Sequence, residues 1–268
     1  MASFHVLSGR QDALEVPAVR RIGPADLGDV LRQGFDDFLA MPSHVVFVAL
    51  VYPIAGIVLA GLAFGANVLP LLYPLASGFA LIGPVAAIGL YELSRRREQG
   101  LPTDWKYAFE ALRSPAMPAI ATLGLVLFVI FAAWLLAAQA LYQSLYGWHA
   151  PESLPGFIAE VLTTAKGWRL ILLGNLIGFV FAAAAFAISV VSFPLLLDRD
   201  VGVVAAVTTS LKVVAASPAT MALWGLTIAA LLVLGSLPAF IGLAVVMPVL
   251  GHATWHLYRR VVDDGRAA

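Results

Sequence analysis

The sequence predicts an all-α fold: a polytopic membrane helix bundle of six transmembrane helices, set as three hairpins with short amphipathic surface helices. Three observations predict it. The 268 residues are 61% hydrophobic and only 12% charged. Soluble domains carry about a quarter charged residues, so a water-soluble fold of this composition would leave large apolar patches exposed. The apolar residues fall in runs of about twenty, enough for a hydrocarbon core of about 30 Å. The basic residues, finally, collect on one side of those runs.

The chain starts with a mixed-charge stretch without clear periodicity, read as a flexible cytoplasmic tail over residues 1–25. From Asp26 to Ala40 the residues Leu27, Val30, Leu31, Phe35, Phe38 and Leu39 recur at three- and four-residue steps. That is one apolar helical face, with Asp29, Arg32, Asp36 and Asp37 largely opposite. The segment is either a helix lying in the membrane surface or a soluble helix capping the bundle; Pro42 ends it.

Residues 26–262 form the membrane domain, with spans over about 45–64, 69–93, 119–142, 170–195, 219–235 and 238–258. The second span carries Pro84, the fourth Pro194 and the sixth Pro248, each read as a helix kink that neighbouring helices repair. Gly100 and Pro102 form a helix stop after the second span. A second amphipathic segment over 104–113 puts Trp105, Ala108, Phe109 and Leu112 on one face. A third, over 201–215, sets Val204, Val207, Leu211 and Val214 against Thr208, Thr209 and Lys212. Residues 263–268 are a short cytoplasmic tail.

Three times the chain runs through an amphipathic segment, a proline and a pair of spans, beginning near Asp26, Asp104 and Asp200. Each unit would have one orientation, so the repeats are parallel rather than inverted. Fourteen lysines and arginines lie in the tails and the loops after the second and fourth spans; only Lys166 and Arg169 lie opposite. That bias places both termini in the cytoplasm.

Formal net charge is zero, which gives no electrostatic ground for a nucleic-acid partner. There is no cysteine, so disulfides, thiolate metal sites and cysteine nucleophiles are excluded. Acidic and basic residues are absent from the span centres, which argues against a carboxylate-based proton pump. No nucleotide loop, nucleophile elbow or EF-hand loop appears.

The polar candidates concentrate at the cytoplasmic edge. His252 and His256 stand four apart and share a helix face, a spacing that can chelate a metal. His44 opens the first span and Glu92 closes the second at that same edge. Superimposing Pro84 on Pro248 aligns Arg95-Arg96 with Arg259-Arg260 and sets Glu92 level with His256. A layer of His44, Glu92, His252, His256, Arg95, Arg96, Arg259 and Arg260 is therefore expected. Its functional reading is a metal, haem or anion site; its plain reading is a set of hydrogen bonds and ion pairs that fix helix ends. HATWH lacks the glutamate of HExxH, because position two is Ala253. Asn175 and Gln139 are read as cross-helix hydrogen-bonding residues, and Gly174-xxx-Gly178 as a close-packing spacing.

Several blocks together resemble a known family: RRIGPADLGDVLRQGFDDFLA, VYPIAGIVLA, PLASGFALIGPVAAIGLYELSRRREQG and VMPVLGHATWHLYRR. In that order they are similar to the bacterial integral membrane family called domain of unknown function 2189, over about residues 20–262. The resemblance implies a multi-span inner-membrane protein and no particular activity, substrate or cofactor.

The expected role is non-enzymatic: membrane organisation, or an accessory or assembly partner of a larger membrane complex. No catalytic residue and no cofactor is expected. The expected partners are the lipid bilayer and a membrane protein or further copies of the chain. A channel or carrier for a neutral or amphipathic solute is the second reading. A metal- or haem-binding redox protein using His44, His252 and His256 is the third.

Overall fold

The computed structural model describes residues 6, 16–41, 70–149, 151–237 and 241–263. Among them there is no β-strand. The helices are α1 (Pro24–Ala40), α2 (Leu72–Ala86), α3 (Ile88–Glu98), a 3-10 helix (Trp105–Arg113), α4 (Met117–Tyr146), α5 (Leu154–Thr163), α6 (Ala165–Ser189), α7 (Ser192–Asp198), α8 (Gly202–Ala216), α9 (Pro218–Ser236) and α10 (Leu243–Val261). The expected first span, 45–64, and His44 lie outside the described residues, as does the start of the sixth span at 238–240.

Among the described residues, three stretches are long and apolar enough to cross a membrane: α4, α9 and the run Ala165–Asp198 made of α6 and α7. α5 and α8 are shorter apolar helices. The second span, expected unbroken over 69–93, is divided at Ala87 into α2 and α3. Pro84 sits three residues before the break, between Gly83 and Gly89, where a missing N–H and two poor helix formers weaken the ladder. The fourth span divides too, at Val190-Val191, just before Pro194. A proline's ring crowds the carbonyl four residues back, and that residue is Val190. Ser192 repairs the break by donating to the Ile188 and Ala206 carbonyls. Pro248, by contrast, lies inside an unbroken α10.

The described residues fall into two compact units: 6, 16–41, 84–124, 186–237 and 241–263 in one, 70–83, 125–149 and 151–185 in the other. In the first, α1 packs on α10, and Gly34 sets how closely. A Cβ on Gly34 would stand 2.6 Å from the Ala253 nitrogen and 2.7 Å from the Val249 oxygen. The buried stripe of α1 is therefore Leu27, Val30, Gly34 and Asp37, continued by Met41. This agrees with the apolar face read from the sequence at Leu27 and Val30 and departs from it further along the helix. Phe35 and Leu39 point outward, 45% and 67% exposed, and Asp37 points inward.

The same inversion marks the other two amphipathic segments. α8 turns Gly202, Val203, Ala205, Ala206, Thr209, Ser210 and Val213 inward and leaves Val204 and Leu211 exposed. The 3-10 helix repeats every three residues, so Ala108 and Ala111 share a buried row and Phe109 and Leu112 an exposed one; Trp105, at the start of the helix, is exposed as well. Small residues let each backbone come close to the protein at Gly34, Ala108 and Ala205, while Leu39, Phe109 and Leu211 face away from it.

α3 and α10 run parallel. Gly251 receives Leu90, Ser94 meets His252, and Glu98 meets Trp255 and Arg259. α3 ends in a Schellman cap: Gly100 has φ +69°, its N–H donates to the Arg97 carbonyl, and the Leu101 N–H donates to that of Arg96. The expected stop at Gly100 thus has its glycine for the left-handed turn. Of the expected tail, residues 16–23 are extended. Val19 pairs with Val262, Arg20 N–H donates to the Val261 carbonyl and Asp263 N–H to that of Ala18.

In the second unit, Trp134 is the packing centre. Its indole N–H donates to the Pro74 carbonyl at 3.1 Å, and its ring fits against Gly178, where a Cβ would come within 3.0 Å. Tyr73 donates to Asn175 Oδ1 at 2.7 Å, the cross-helix bond expected of that asparagine. Gln139 Oε1 has no hydrogen-bond partner among the described residues.

Candidate functional site

Asp37 is the hub of the polar layer, and it is 4% exposed. Its place follows from Gly34: with the glycine against Ala253, the residue three positions on must face α10. Arg97 Nη1 donates to Asp37 Oδ1. Ser94 Oγ donates to Asp37 Oδ2. His256 Nε2 lies 2.9 Å from Oδ2, and His252 Nδ1 lies 4.0 Å from it. His252 Nδ1 is 2.8 Å from Ser94 Oγ.

Proton bookkeeping assigns the ring nitrogens. The Ser94 hydroxyl has one proton and gives it to the carboxylate, so it accepts from His252, whose Nδ1 must carry hydrogen. The Asp37 carboxylate only accepts, so His256 donates through Nε2. Burial pushes the Asp37 carboxyl up. The hydrogen bonds from His256 and Ser94, and the charges of the two histidines, outweigh it and hold the group below its ordinary value. The result is an ionised carboxylate tying α1, α3 and α10 together.

Two further layers of ion pairs lie around it. Arg260 donates to Asp26 Oδ1 at 2.6 Å and to Asp29 Oδ2 at 3.1 Å, joining the end of α10 to the start of α1. The Asp26 carboxyl is held below its ordinary value first by the Gly23 N–H, against which burial pushes up, and then by Arg260. Glu98 accepts from Trp255 Nε1 at 3.1 Å and Arg259 Nε at 3.0 Å. Tyr258 donates to Asp198 at 2.6 Å, which ties α10 to α7.

His252 and His256 thus share a face, as their spacing predicts, but that face meets Asp37 and Ser94. Glu92 is engaged elsewhere. It is 3% exposed, with Arg95 Nη2 at 2.7 Å and Arg96 Nη1 at 4.0 Å. Among the described residues no set of three His, Asp or Glu side chains is arranged to hold a metal ion. Arg259 and Arg260 each close an ion pair, and Arg96 reaches Glu110 at 2.7 Å while lying 3.9 Å over the Tyr107 ring.

Asp37, Ser94 and Arg97 are absent from the layer read from the sequence. Asp37 was hidden in the pair Asp36-Asp37, where either residue fits a solvated face. The available signal was the spacing Leu27, Val30, Gly34, Asp37, Met41, a helical stripe with a glycine at its centre.

On the other side of Glu92 a cavity of about 520 Å³ opens between α3, the 3-10 helix, the start of α4 and the end of α7. Four carboxylates and four arginines line it.

A family model described as "Predicted integral membrane protein (DUF2189)" matches residues 72–198. No curated protein and no solved structure matches the chain. The block GPVAAIGLYELSRRREQG lies within the matched range; the blocks at 20–40 and 246–260 lie outside it. The matched residues 72–198 carry α2 to α7, and with them Ser94, Arg97 and Glu92, so this part of the chain is similar to that family of predicted integral membrane proteins.

Proposed function

We propose that the protein is a six-span bacterial inner-membrane protein with both termini in the cytoplasm, acting without catalysis as an accessory or assembly partner of a membrane complex. The observation that carries this reading is the outward face of its apolar helices. Leu136 on α4, Phe179 on α6 and Leu226 on α9 are each about 70% exposed. Only lipid or another membrane protein can cover such faces. The charged residues meanwhile satisfy one another in a buried layer that locks helices in place, a rigid support rather than a set of reacting groups.

The arginine distribution supports the orientation. The outward Phe35, Leu39, Trp105, Phe109, Val204 and Leu211 support amphipathic helices held to the protein by one face and lying in the membrane interface by the other. The test is a tagged pull-down from native membranes in mild detergent. Stoichiometric recovery of one membrane-protein partner supports the accessory role. A protein that stays alone and conducts or takes up a solute in liposomes overturns it in favour of a channel or carrier. The divided α2–α3 at Ala87, beside Pro84, is the feature that favours that second reading.

A further inference from the structure

α5 has no buried residue, and it is set between two stretches long and apolar enough to cross a membrane, α4 and the run that begins with α6. Its ten residues make about 15 Å of helix, half the depth of a hydrocarbon core of about 30 Å, so it does not cross. Local chemistry holds it close to the ends of its neighbours. Ser153 caps it by accepting from the Gly156 N–H. Thr164 leaves helical geometry and caps α6, its hydroxyl accepting from the Gly167 N–H at 2.9 Å. The turn is tight, because a Cβ on Gly167 would strike the Val161 backbone. Phe157 stands edge-on to Tyr142 and Tyr146 of α4, with 6.0 and 6.2 Å between ring centres. Lys166 lies 4.1 Å over the Tyr146 ring.

Phe157 and Val161 are the half-buried residues of the helix, and the exposed ones sort by chemistry. Leu154, Ile158 and Leu162 stand four apart in one row, each about half exposed. Gly156, Glu160 and Thr163 lie on the opposite side, exposed as well. Chain continuity fixes the depth of both rows. α6 begins two residues after α5 ends, so α5 sits where α4 and α6 reach the membrane boundary. On α6 the exposed row Trp168, Leu172 and Leu176 carries apolar surface on from that boundary. The exposed Trp148 and Trp168 flank α5 on its two sides, and Lys166 and Arg169 follow it, the residue types that gather at a lipid headgroup layer.

We infer that α5 lies in the membrane interface, at the end of α4 away from the arginine-rich segment, with Leu154, Ile158 and Leu162 among the acyl chains of a phospholipid leaflet and Glu160 and Thr163 in water. An apolar row against a polar one is the pattern that a water–lipid boundary selects. The inference rests on α4 and α6 crossing a bilayer and is independent of the accessory role.

The chain has no cysteine, so Leu136→Cys, Ile158→Cys, Glu160→Cys, Leu162→Cys and Thr163→Cys each offer one thiol to a spin label. All five side chains are exposed, so labelling should leave the melting temperature unchanged. The full chain is reconstituted in vesicles of phosphatidylethanolamine and phosphatidylglycerol. Oxygen serves as the lipid-soluble relaxing agent, and a nickel chelate on both sides of the membrane as the water-soluble one. In Ile158→Cys and Leu162→Cys oxygen is expected to relax the label more than nickel, as in Leu136→Cys on α4. The order should reverse in Glu160→Cys and Thr163→Cys. Nickel dominance in Ile158→Cys and Leu162→Cys, with oxygen dominance in Leu136→Cys, overturns the inference and leaves the spans standing. Nickel dominance in all three overturns the spans and the inference with them. Labels in Ile158→Cys and Leu162→Cys shielded from both agents also overturn it, in favour of a protein contact, and dipolar broadening of their spectra would identify that contact as a second copy.

Discussion

His256 Nε2 donates to Asp37 Oδ2 at 2.9 Å, joining residues 219 positions apart in the chain. The bond secures the inward turn of an aspartate that sequence periodicity assigns to solvent, on the face of α1 that Gly34 sets against α10. Removing one partner of a buried, hydrogen-bonded charge cluster leaves the others without compensation and costs about 3–5 kcal/mol. Asp37→Ala should therefore lower the melting temperature in detergent sharply. His256→Ala, which leaves Arg97 and Ser94 on the carboxylate, should cost less. Equal, small effects from both would show that the layer is not a stabilising hub.

Glycines on α1 offer a matched pair. At Gly34 a Cβ would meet backbone atoms of α10 at 2.6–2.7 Å, while at Gly28 nothing lies within 4 Å. Gly34→Ala should destabilise by about 1–3 kcal/mol through overpacking. Gly28→Ala should stabilise by about 0.4–1 kcal/mol by restricting the unfolded chain. Thermal melts of the two single variants read the difference in sign.

The pH dependence has a defined direction. The carboxyls of Asp37 and Asp26 are held below the ordinary 3.8 in the fold. Their contribution is present above that value and is lost as pH falls through the lowered ones. Stability should hold from neutral pH to about pH 4 on this account and then fall. In Asp37→Asn the acid-side slope should be shallower. Melts across pH 2–7 test it, and an unchanged slope would exclude Asp37 as a source.

The orientation has its own measurement. A reporter fused after Arg266 should be active in the cytoplasm, and one inserted between Trp148 and Glu152 in the periplasm. Activity of the first in the periplasm would reverse the arrangement and remove the basis for a cytoplasmic-edge layer.

Much of the fold was legible because it depends on local rules. The apolar runs of α4, α6 and α9, the stop at Gly100 and the shared face of His252 and His256 follow from composition and from 3.6-residue geometry. The breaks at Ala87 and Val190-Val191 were legible only as kinks at Pro84 and Pro194. Whether a proline bends a helix or divides it depends on what repairs the freed carbonyls, as Ser192 does here. The candidate layer was half legible. His252 and His256 share one face of α10, as read, but Glu92 turned to Arg95 and Asp37 took the place expected of it, and His44 lies outside the described residues.

By itself the sequence determined that the chain is helical, apolar enough to need a membrane, and polar at one end of α3 and α10. Those properties are sums over neighbouring residues, so no distant partner is needed to read them. Only the tertiary structure decided which face of each amphipathic helix turns inward. That choice rests on how closely two backbones approach, and at Gly34, Ala108 and Ala205 small residues let the helix settle with Leu39, Phe109 and Leu211 outward.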